Sequence, residues 1–410
     1  MNNLNVQTTT TNGAGNNLTP EMKTYYDRAL IRFASPKLVH AQFGQQKPIP
    51  AGSGKTIEFR KFSPLPKAMT PLTEGVTPKG NTLNVTTVES TVEQYGDYVT
   101  MSDMLTLSSV DAVISETQNV LGDQAGRTLD TVIREKVNAG TNVQYANGKA
   151  DRNLLVGGSS TAEENDYLTV AAVKRAVATL KRNNATPFKD GCYVAIIHPD
   201  VANDLTNDPE WKAVKQNVDP EDWYNGVIGK IHGVVFVEST EAKIFRAGYL
   251  RNPETLEKGD PETLTVASAE GSVITLKEAL TEDDVAYLSG KKLQIQGFDY
   301  SIASATAGAE GTATITVSET LNAVGAGNII YPAGAGKDGR DIYSTLFLGQ
   351  NAYGVTSITG GGLTTILKQK GSAGTGDPLD QRSTVGWKAT QTAEILSPEF
   401  MVRVETTCSY

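Results

Sequence analysis

The chain has 410 residues, and single hydrophobic cores stop growing at roughly 250–300 residues, so this length predicts two or three domains. With 39 % apolar and 20 % charged residues, the composition is typical of a folded chain and excludes an intrinsically disordered one. A formal net charge of −9 argues against a protein that binds nucleic acid or anionic membranes through its overall charge.

Cysteine usage and the first residues bear on the compartment. Two cysteines, Cys192 and Cys408, are too few for a disulfide framework, which favours a reducing environment. Residues 1–22 lack the basic and apolar regions of a signal peptide, and no run of about 18 apolar residues is present to span a membrane. We therefore expect a protein made and kept in a cytosol, or in a particle assembled there.

The N-terminal region predicts an arm followed by a helix. Residues 1–18 are rich in Asn, Thr and Gly and are typical of a mobile arm. Thr19 is a good N-cap and Pro20 suits the first helical position. An apolar stripe at helical spacing then follows: Met22, Tyr25, Tyr26, Ala29, Leu30 and Phe33. The pattern leaves open whether this helix docks on its own chain or on a neighbouring subunit.

The next segment predicts a long β-hairpin. Residues 55–62 alternate apolar and polar side chains, and residues 83–100 are rich in Val, Thr and Tyr, so both indicate strands. The stretch between them contains Pro64, Pro66, Pro71 and Pro78, which predicts an irregular, exposed tip. Because an isolated hairpin is marginally stable in water, we expect another surface to cover it.

The remainder predicts a mixture of helices and strands. Apolar residues at helical spacing predict a helix of about 40 Å from Asp111 to Asn138. Residues 168–240 predict an α/β region, with a helix capped by Thr169, a helix that starts at His198, and two buried strands. These strands are Tyr193–Ile197 and Val234–Val237.

The final third of the chain is predicted to be β-rich. Residues 245–338 contain short β-like segments separated by glycines and predict a small inserted β module. The final seventy residues are again β-like. They end with Phe400, Val402 and Val404 in an alternating pattern, which predicts a terminal strand.

One motif suggests nucleotide binding, but its context argues against this. The segment Gly52–Thr56 (GSGKT) lacks the first glycine of a phosphate-binding loop, because that position is Ile49. A strand-like segment follows it, whereas a phosphate loop needs a helix whose N-terminal amides hold the phosphate. A polar turn is the better interpretation.

Other reactive residue types form no catalytic or metal-binding pattern. His40, His198 and His232 have no metal-ligand spacing, and the nucleophile pattern of serine hydrolases is absent. Glu163-Glu164 and Glu282–Asp284 are interpreted as solvated turns or helix starts. We therefore predict no catalytic residue, no cofactor, no metal and no enzymatic activity.

The order of these parts resembles the Hong Kong 97-type capsid fold of tailed double-stranded DNA bacteriophages, an α+β fold. Local sequence is similar to the major capsid family of the short-tailed phage N-four and its relatives. The similar stretches are PIPAGSGKTIEFRKFSPLPKAMTPLTEGVTP, GDYVTMSDM, HPDVANDL and STVGWKATQTAEILSPEFMVRVET. The resemblance covers about residues 20–240 and 340–410, and the module at 245–338 is the least similar part.

The resemblance implies a division of the chain into six segments. These are an N-terminal arm with an amphipathic helix (1–50), an E-loop hairpin (51–104), the spine helix and P-domain (105–165), an A-domain (166–244), the inserted module (245–338), and a return through the A- and P-domain strands (339–410). The inserted module is either a surface decoration, a clamp between capsomers, or a passive insertion.

The resemblance also implies a function. We expect a major capsid protein that assembles into hexamers and pentamers of an icosahedral shell around double-stranded DNA, without sequence-specific binding. The shell is expected to form as a procapsid that later expands, in the host cytoplasm. The expected partners are further copies of the chain, a separate scaffolding protein, a portal protein and a decoration or cement protein, but no membrane.

The hairpin supplies the candidate contacts between subunits. We expect its apolar residues to lie on an adjacent subunit and its charges to set the register. The candidates are Ile57, Phe59, Arg60, Lys61, Lys67, Lys79 and Val92. Lys67 and Lys79 are also candidates for an isopeptide crosslink, by analogy with some capsids.

Three other functions remain open at this point. A nanocompartment shell of the same fold would enclose enzymes instead of DNA. A β-rich adhesive or surface-array protein would be a soluble monomer that binds glycans. An enzymatic function would be supported only by the incomplete GSGKT motif.

Overall fold

A computed structural model describes residues 38–62, 65, 67–72, 74–77, 80–108, 113–157, 165–188, 191–215, 229–246, 248–252, 264–369, 371 and 379–409. The predicted arm, the helix predicted after Thr19, the pair Glu163-Glu164 and Lys79 lie outside these residues. The chain divides into two compact units, formed by residues 1–140 with 350–400 and by residues 141–349 with 401–410. The boundaries of the six predicted segments stay predictions.

The described residues contain six α-helices. They are α1 (Asp103–Ser108), α2 (Val113–Asn138), α3 (Val170–Arg182), α4 (Pro199–Asn207), α5 (Pro209–Lys215) and α6 (Glu282–Leu288). Among these helices, none is long and apolar enough to cross a membrane.

The described residues contain twenty strands. They are β1 (Gln45–Gln46), β2 (Thr56–Phe62), β3 (Val85–Thr91), β4 (Glu93–Ser102), β5 (Val143–Tyr145), β6 (Tyr193–Ile197), β7 (Lys230–Ile231), β8 (Val234–Glu238), β9 (Ile244–Phe245), β10 (Leu264–Glu270), β11 (Val273–Leu276), β12 (Lys292–Ile295), β13 (Phe298–Thr306), β14 (Thr314–Val317), β15 (Ile329–Pro332), β16 (Ile342–Leu348), β17 (Tyr353–Thr356), β18 (Thr364–Lys368), β19 (Arg382–Ile395) and β20 (Met401–Thr406).

The first unit is a sheet built around β19. Strands β17, β18 and β4 all pair with β19, and β1 adds to β17. The long helix α2 has 26 residues and is therefore about 39 Å long, as predicted. It packs on β19 through Leu121, Ala125, Leu129, Val385 and Trp387, which form a buried apolar cluster.

The predicted long hairpin is shorter in the structure. The stretch predicted as one strand over residues 83–100 forms two strands, β3 and β4, separated at Val92. Only β3 pairs with β2, whereas β4 pairs with β19 over ten residues. The reason is that the partner strand β2 begins at Thr56, so beyond Thr91 the chain finds its hydrogen-bond partners on β19. Gly96 permits this close pairing, since a Cβ there would lie 2.6 Å from the Trp387 carbonyl oxygen.

The second unit contains a seven-stranded sheet in the order β5-β20-β16-β6-β8-β7, with β9 beside β16. The predicted strands and helices of residues 168–240 are confirmed: Thr169 caps α3, and α4 starts after His198 with Pro199 at its first position. The predicted terminal strand is confirmed as β20, which contains the buried residues Val402 and Val404. Phe400 lies just before this strand, in the short turn Pro398–Phe400, and β20 is mostly buried on both faces.

The predicted β module is confirmed as a closed six-stranded barrel in the second unit. Its strands follow the order β10-β11-β14-β13-β12-β15, so every strand has two partners. The barrel encloses an apolar core that includes Leu264, Ile274, Leu293 and Ile315. The acidic run Glu282–Asp284 begins α6, where Thr281 and Asp284 form a capping box, as expected of a helix start.

Candidate inter-subunit contact surface

The hairpin of β2 and β3 has two different faces. Its register places Ile57 opposite Ser90, Phe59 opposite Val88 and Arg60 opposite Thr87. Successive side chains of a strand point to opposite faces, so Ile57 and Phe59 share one face while Arg60 lies on the other. On the first face Ile57, Phe59 and Lys61 are buried or half-buried, whereas Glu58 and Arg60 on the second face are exposed.

The first face of the hairpin packs on its own chain. Phe59 is only 4 % exposed, and its ring lies over the backbone of Gly354 in β17. The ammonium of Lys47 lies 5.5 Å from the centre of this ring and donates a hydrogen bond to the Glu58 carbonyl oxygen at 2.8 Å. The base of the hairpin is therefore covered by residues of the same unit.

A charged contact fixes the far end of the same face. Lys61 Nζ lies 2.5 Å from Glu399 Oε1 and 5.8 Å from the centre of the Phe400 ring. The hydrogen bond from Lys61 lowers the pKa of the Glu399 carboxyl. Both side chains are more than a third exposed, so the ion pair orients the hairpin more than it stabilises the fold.

The candidate contact residues fall into three groups. Phe59 and Val92 are buried within their own chain, which corrects the expectation that they lie on an adjacent subunit. The Phe59 ring is covered by Gly354 in β17, and the backbone at Val92 is held to the start of the hairpin, where its N–H donates to the Lys55 carbonyl oxygen at 2.9 Å. Ile57 and Lys61 are half-buried on the same face.

The other candidates point to solvent or lie outside the described residues. Arg60 is 67 % exposed, and its ion-pair partner among the described residues is Glu58, which lies 3.7 Å away and is also exposed. Lys67 is exposed, and Lys79 lies outside the described residues. For Arg60 and Lys67, contact with a neighbouring subunit stays a prediction, as does the isopeptide crosslink.

The tip exposes apolar residues that are not among the predicted contact candidates. Every residue of 63–84 whose side chain the structure describes is exposed, and none of them is in a strand. Large apolar side chains in and beside this tip are between 47 % and 80 % exposed: Leu65, Met69, Leu72, Val76, Leu83 and Val85. We call these six residues the apolar tip. The sequence signal for them is a set of large apolar residues between prolines, in a loop that has no neighbouring strand among the described residues to bury them.

The histidines and the GSGKT motif considered for catalysis or ligand binding lie in turns, helix caps and buried hydrogen bonds. The Gly52–Thr56 motif forms a turn followed directly by β2, not by a helix. His40 is buried against Asp130, with Nδ1 2.6 Å from Oδ2, and the His198 ring accepts a hydrogen bond from the Asp200 N–H. Among the described residues, no group of three or more His, Cys, Asp or Glu side chains is arranged to bind a metal.

The comparisons with known proteins identify the family. A family model described as phage capsid protein matches residues 85–309, which is more than half of the chain. The chain belongs to this family of phage capsid proteins. No curated protein sequence matches the chain.

Two solved phage capsids have a similar fold. The capsid of Ralstonia phage GP4 has a TM-score of 0.50 and 14 % sequence identity, covering 89 % of this chain and 87 % of that chain. The capsid of cyanophage Pam1 has a TM-score of 0.50 and 13 % identity, covering 87 % and 86 %. At this identity the likeness concerns the fold, and it confirms the predicted α+β Hong Kong 97-type capsid fold.

Proposed function

We propose that this phage capsid protein is the major shell subunit, which forms hexamers and pentamers of an icosahedral head around double-stranded DNA. It performs no catalysis and assembles in the host cytoplasm. Its partners are further copies of itself, a scaffolding protein, a portal protein and a decoration protein. The packaged DNA is enclosed without sequence-specific binding.

The apolar tip carries this proposal. Six large apolar side chains are exposed within about twenty residues, and soluble monomers rarely leave apolar groups clustered in this way. Burial of apolar surface contributes about 25 cal/mol per Å², so covering the tip on an adjacent subunit would favour assembly. Many such contacts form together in a closed shell, which makes weak single contacts sufficient.

The base of the hairpin supports the same interpretation. Phe59 on Gly354 and Lys61 on Glu399 hold the hairpin on its own unit. The direction of the tip is thus largely fixed before a neighbour arrives, and this lowers the entropy cost of binding. Arg60 and Lys67 stay available for exposed ion pairs, which set the register more than the strength of a contact.

The net charge of −9 supports enclosure of DNA without strong binding. Affinity for DNA rises with the number of phosphates that a protein neutralises, and a strongly cationic wall would hold the packaged duplex. A shell built from an acidic chain would enclose the DNA without attracting its phosphates strongly. The inserted barrel is proposed as a surface decoration or a clamp between capsomers.

Deletion of the tip tests the proposal. The chain is expressed with candidate scaffolding proteins, and particles are examined by electron microscopy. Removal of residues 63–80 leaves the four residues 81–84 to join β2 to β3, a length that suits a hairpin. We expect the variant to fold but not to form closed shells. Val120→Ala, which removes part of an exposed apolar side chain of α2, serves as the control and should form closed shells.

The outcomes are distinct. Normal closed particles from the deletion variant would overturn the role of the tip. Particles of the wild-type chain that contain enzymes and no DNA would favour a nanocompartment shell. A wild-type chain that stays monomeric with every scaffold would overturn the shell function itself.

A further inference from the structure

A basic groove lies in the second unit, between strand β5 and helix α3. It is a cavity of about 500 Å³, and the residues that matter for its chemistry are Val143, Gln144, Tyr145, Lys149, Arg175 and Arg182. Three of these are cations, and none of the lining residues is acidic. In a chain with a net charge of −9, this groove is a local concentration of positive charge.

The three cations lack partners among the described residues. In the described part of the chain, no ion pair or hydrogen bond involves the ammonium of Lys149 or the guanidinium groups of Arg175 and Arg182. Lys174, on the same helix, is by contrast paired with Glu210. Like charges that line one cavity repel one another, so an anion in the groove would be stabilised.

Strand β5 adds an open edge of hydrogen-bonding groups. It is the last strand of its sheet and pairs in parallel with β20 alone among the described strands. The Arg403 N–H donates to the Asn142 carbonyl oxygen at 3.0 Å. Because backbone groups alternate in direction along a strand, the N–H and C=O groups of Val143 and Tyr145 point away from β20. An extended peptide can add to such an edge.

We propose that this groove binds the acidic segment 216–228 of a second copy of the chain. The segment has the sequence QNVDPEDWYNGVI and lies outside the described residues. It contains three carboxylates, Asp219, Glu221 and Asp222, and no Lys or Arg. Three carboxylates within four residues match the three unpaired cations of the groove.

The sheet order explains why the partner is a second copy. Segment 216–228 connects α5, which ends at Lys215, to β7, which begins at Lys230. Strand β7 is the edge strand opposite β5 in the same sheet. Contact between opposite edges of two copies is head-to-tail, and a head-to-tail contact that repeats by rotation closes a ring. The inference thus rests on the proposed function, because it assigns a contact within a capsomer.

A duplex fits the groove less well than a peptide. B-DNA is a convex rod whose major groove alone is about 12 Å wide, so its phosphates would reach the rim of a concave site of this volume and not its floor. A single extended strand reaches both the cations and the edge of β5. Binding of duplex DNA is therefore an outcome that the experiment must distinguish.

The first experiment measures peptide binding to the unassembled, full-length chain. A labelled synthetic peptide of residues 216–228 is titrated by fluorescence anisotropy, and we expect affinity that falls as salt is added. Arg175→Glu and Arg182→Glu should each weaken binding about tenfold or more, because each replaces an attraction by a repulsion. Lys181→Glu is the matched control: it reverses an exposed charge in the same last turn of α3, outside the groove.

Several results would overturn the proposal. A peptide with Asp219→Asn, Glu221→Gln and Asp222→Asn that binds as tightly as the natural one would remove the charge argument. If Lys181→Glu weakened peptide binding as much as Arg182→Glu does, the loss would come from the overall charge of the chain and not from the groove. A random duplex DNA that binds the chain more tightly than the peptide, and loses affinity with Arg182→Glu, would assign the groove to DNA. Unfolding midpoints of the variants separate loss of binding from loss of fold.

The second experiment tests whether the contact joins two copies. A chain with Arg175→Glu and Arg182→Glu is mixed with a chain that carries the three neutral substitutions in 216–228. Each alone should sediment as a monomer, and the mixture should form heterodimers, because it retains one intact groove and one intact segment. A mixture that stays monomeric while the wild type forms oligomers would place the contact within one copy and overturn the proposal. Both experiments use unassembled chains, so peptide binding without shell closure would count against the shell function alone.

Discussion

The ring of Phe59 lies directly over the backbone of Gly354, where a Cβ atom would come within 2.6 Å of two ring carbons. This contact joins the hairpin to strand β17. It requires an aromatic residue on one strand and the absence of a side chain on the other. The position of the hairpin base therefore depends on two residues that are 295 positions apart in the sequence, the difference between 354 and 59.

Gly354→Ala should destabilise the first unit. The added methyl group must displace the buried Phe59 ring, and overpacking of this kind costs about 1–3 kcal/mol in the free energy of unfolding. Urea unfolding of the unassembled chain measures the loss. Gly362→Ala is the control, since nothing lies within 4 Å of a Cβ there. The contact would be discounted if both variants unfolded at the same urea concentration, or if Phe59→Leu failed to recover part of the loss in the double variant.

The apolar tip should matter for assembly and not for folding. Met69→Gln, Leu72→Gln and Val76→Thr together replace three side chains that are more than 60 % exposed. Exposed substitutions usually change the free energy of unfolding by no more than about 0.5 kcal/mol each. We expect nearly unchanged unfolding but a large drop in the yield of closed particles, counted by electron microscopy. A full yield of particles would show that neighbours do not cover the tip.

Two carboxylates with cationic partners should differ sharply in importance. Glu405 is fully buried, with Arg152 Nε 2.6 Å from Oε2 and Arg403 Nε 2.8 Å from Oε1. Glu405→Gln leaves two largely buried guanidinium groups without their counter-charge, and breaking such a buried arrangement costs about 3–5 kcal/mol. Glu399→Gln, at the exposed pair with Lys61, should cost at most about 1 kcal/mol. Equal costs in chemical unfolding would contradict this ranking.

The cap of α4 should make stability depend on pH. Burial lowers the pKa of His198 below its ordinary value of 6.5, and the ring accepts a hydrogen bond from the Asp200 N–H only while Nδ1 is unprotonated. Asp200 raises this pKa, Arg246 lowers it, and the Tyr343 ring packs 5.1 Å away, centre to centre. The contribution of this cap to the free energy of unfolding is complete above pH 6.5, and it is lost as the pH falls through the lowered pKa of His198 in the folded state.

His198→Asn keeps a side chain that can cap the helix but does not titrate. The difference in unfolding midpoint between pH 8 and pH 5.5 should therefore be smaller in this variant than in the wild type. His232→Asn, in the turn between β7 and β8, controls for the loss of a histidine elsewhere. An unchanged pH dependence in His198→Asn would assign the effect to other groups.

Local elements were predicted well where one segment contains its own signal. The Thr169 cap and the apolar spacing of α3, the Pro199 start of α4 and the continuous apolar run Tyr193–Ile197 each specify their element from neighbouring residues. The inserted module was recognised from the density of short β segments, although its closure into a barrel requires β10 to pair with β15, which no local pattern indicates.

The contact residues were predicted less well, because exposure depends on distant parts of the chain. From the sequence, Phe59 and Val92 have the pattern of surface residues on an isolated arm. Both are buried in the folded chain, Phe59 against Gly354 of β17. The basic groove was missed for the same reason. Lys149, Arg175 and Arg182 are spread over more than thirty residues, and only the packing of α3 beside β5 brings them to one cavity.

The sequence by itself determined the family, the main helices and strands, and the absence of a catalytic pattern, because these depend on residue types at short spacing. Tertiary structure alone decided where residues 83–100 divide between two partners, which hairpin residues are buried, and which charges share a groove. The physical reason is that strand pairing and burial are set by whichever distant segment offers hydrogen-bond partners and apolar surface, as β19 does for β4.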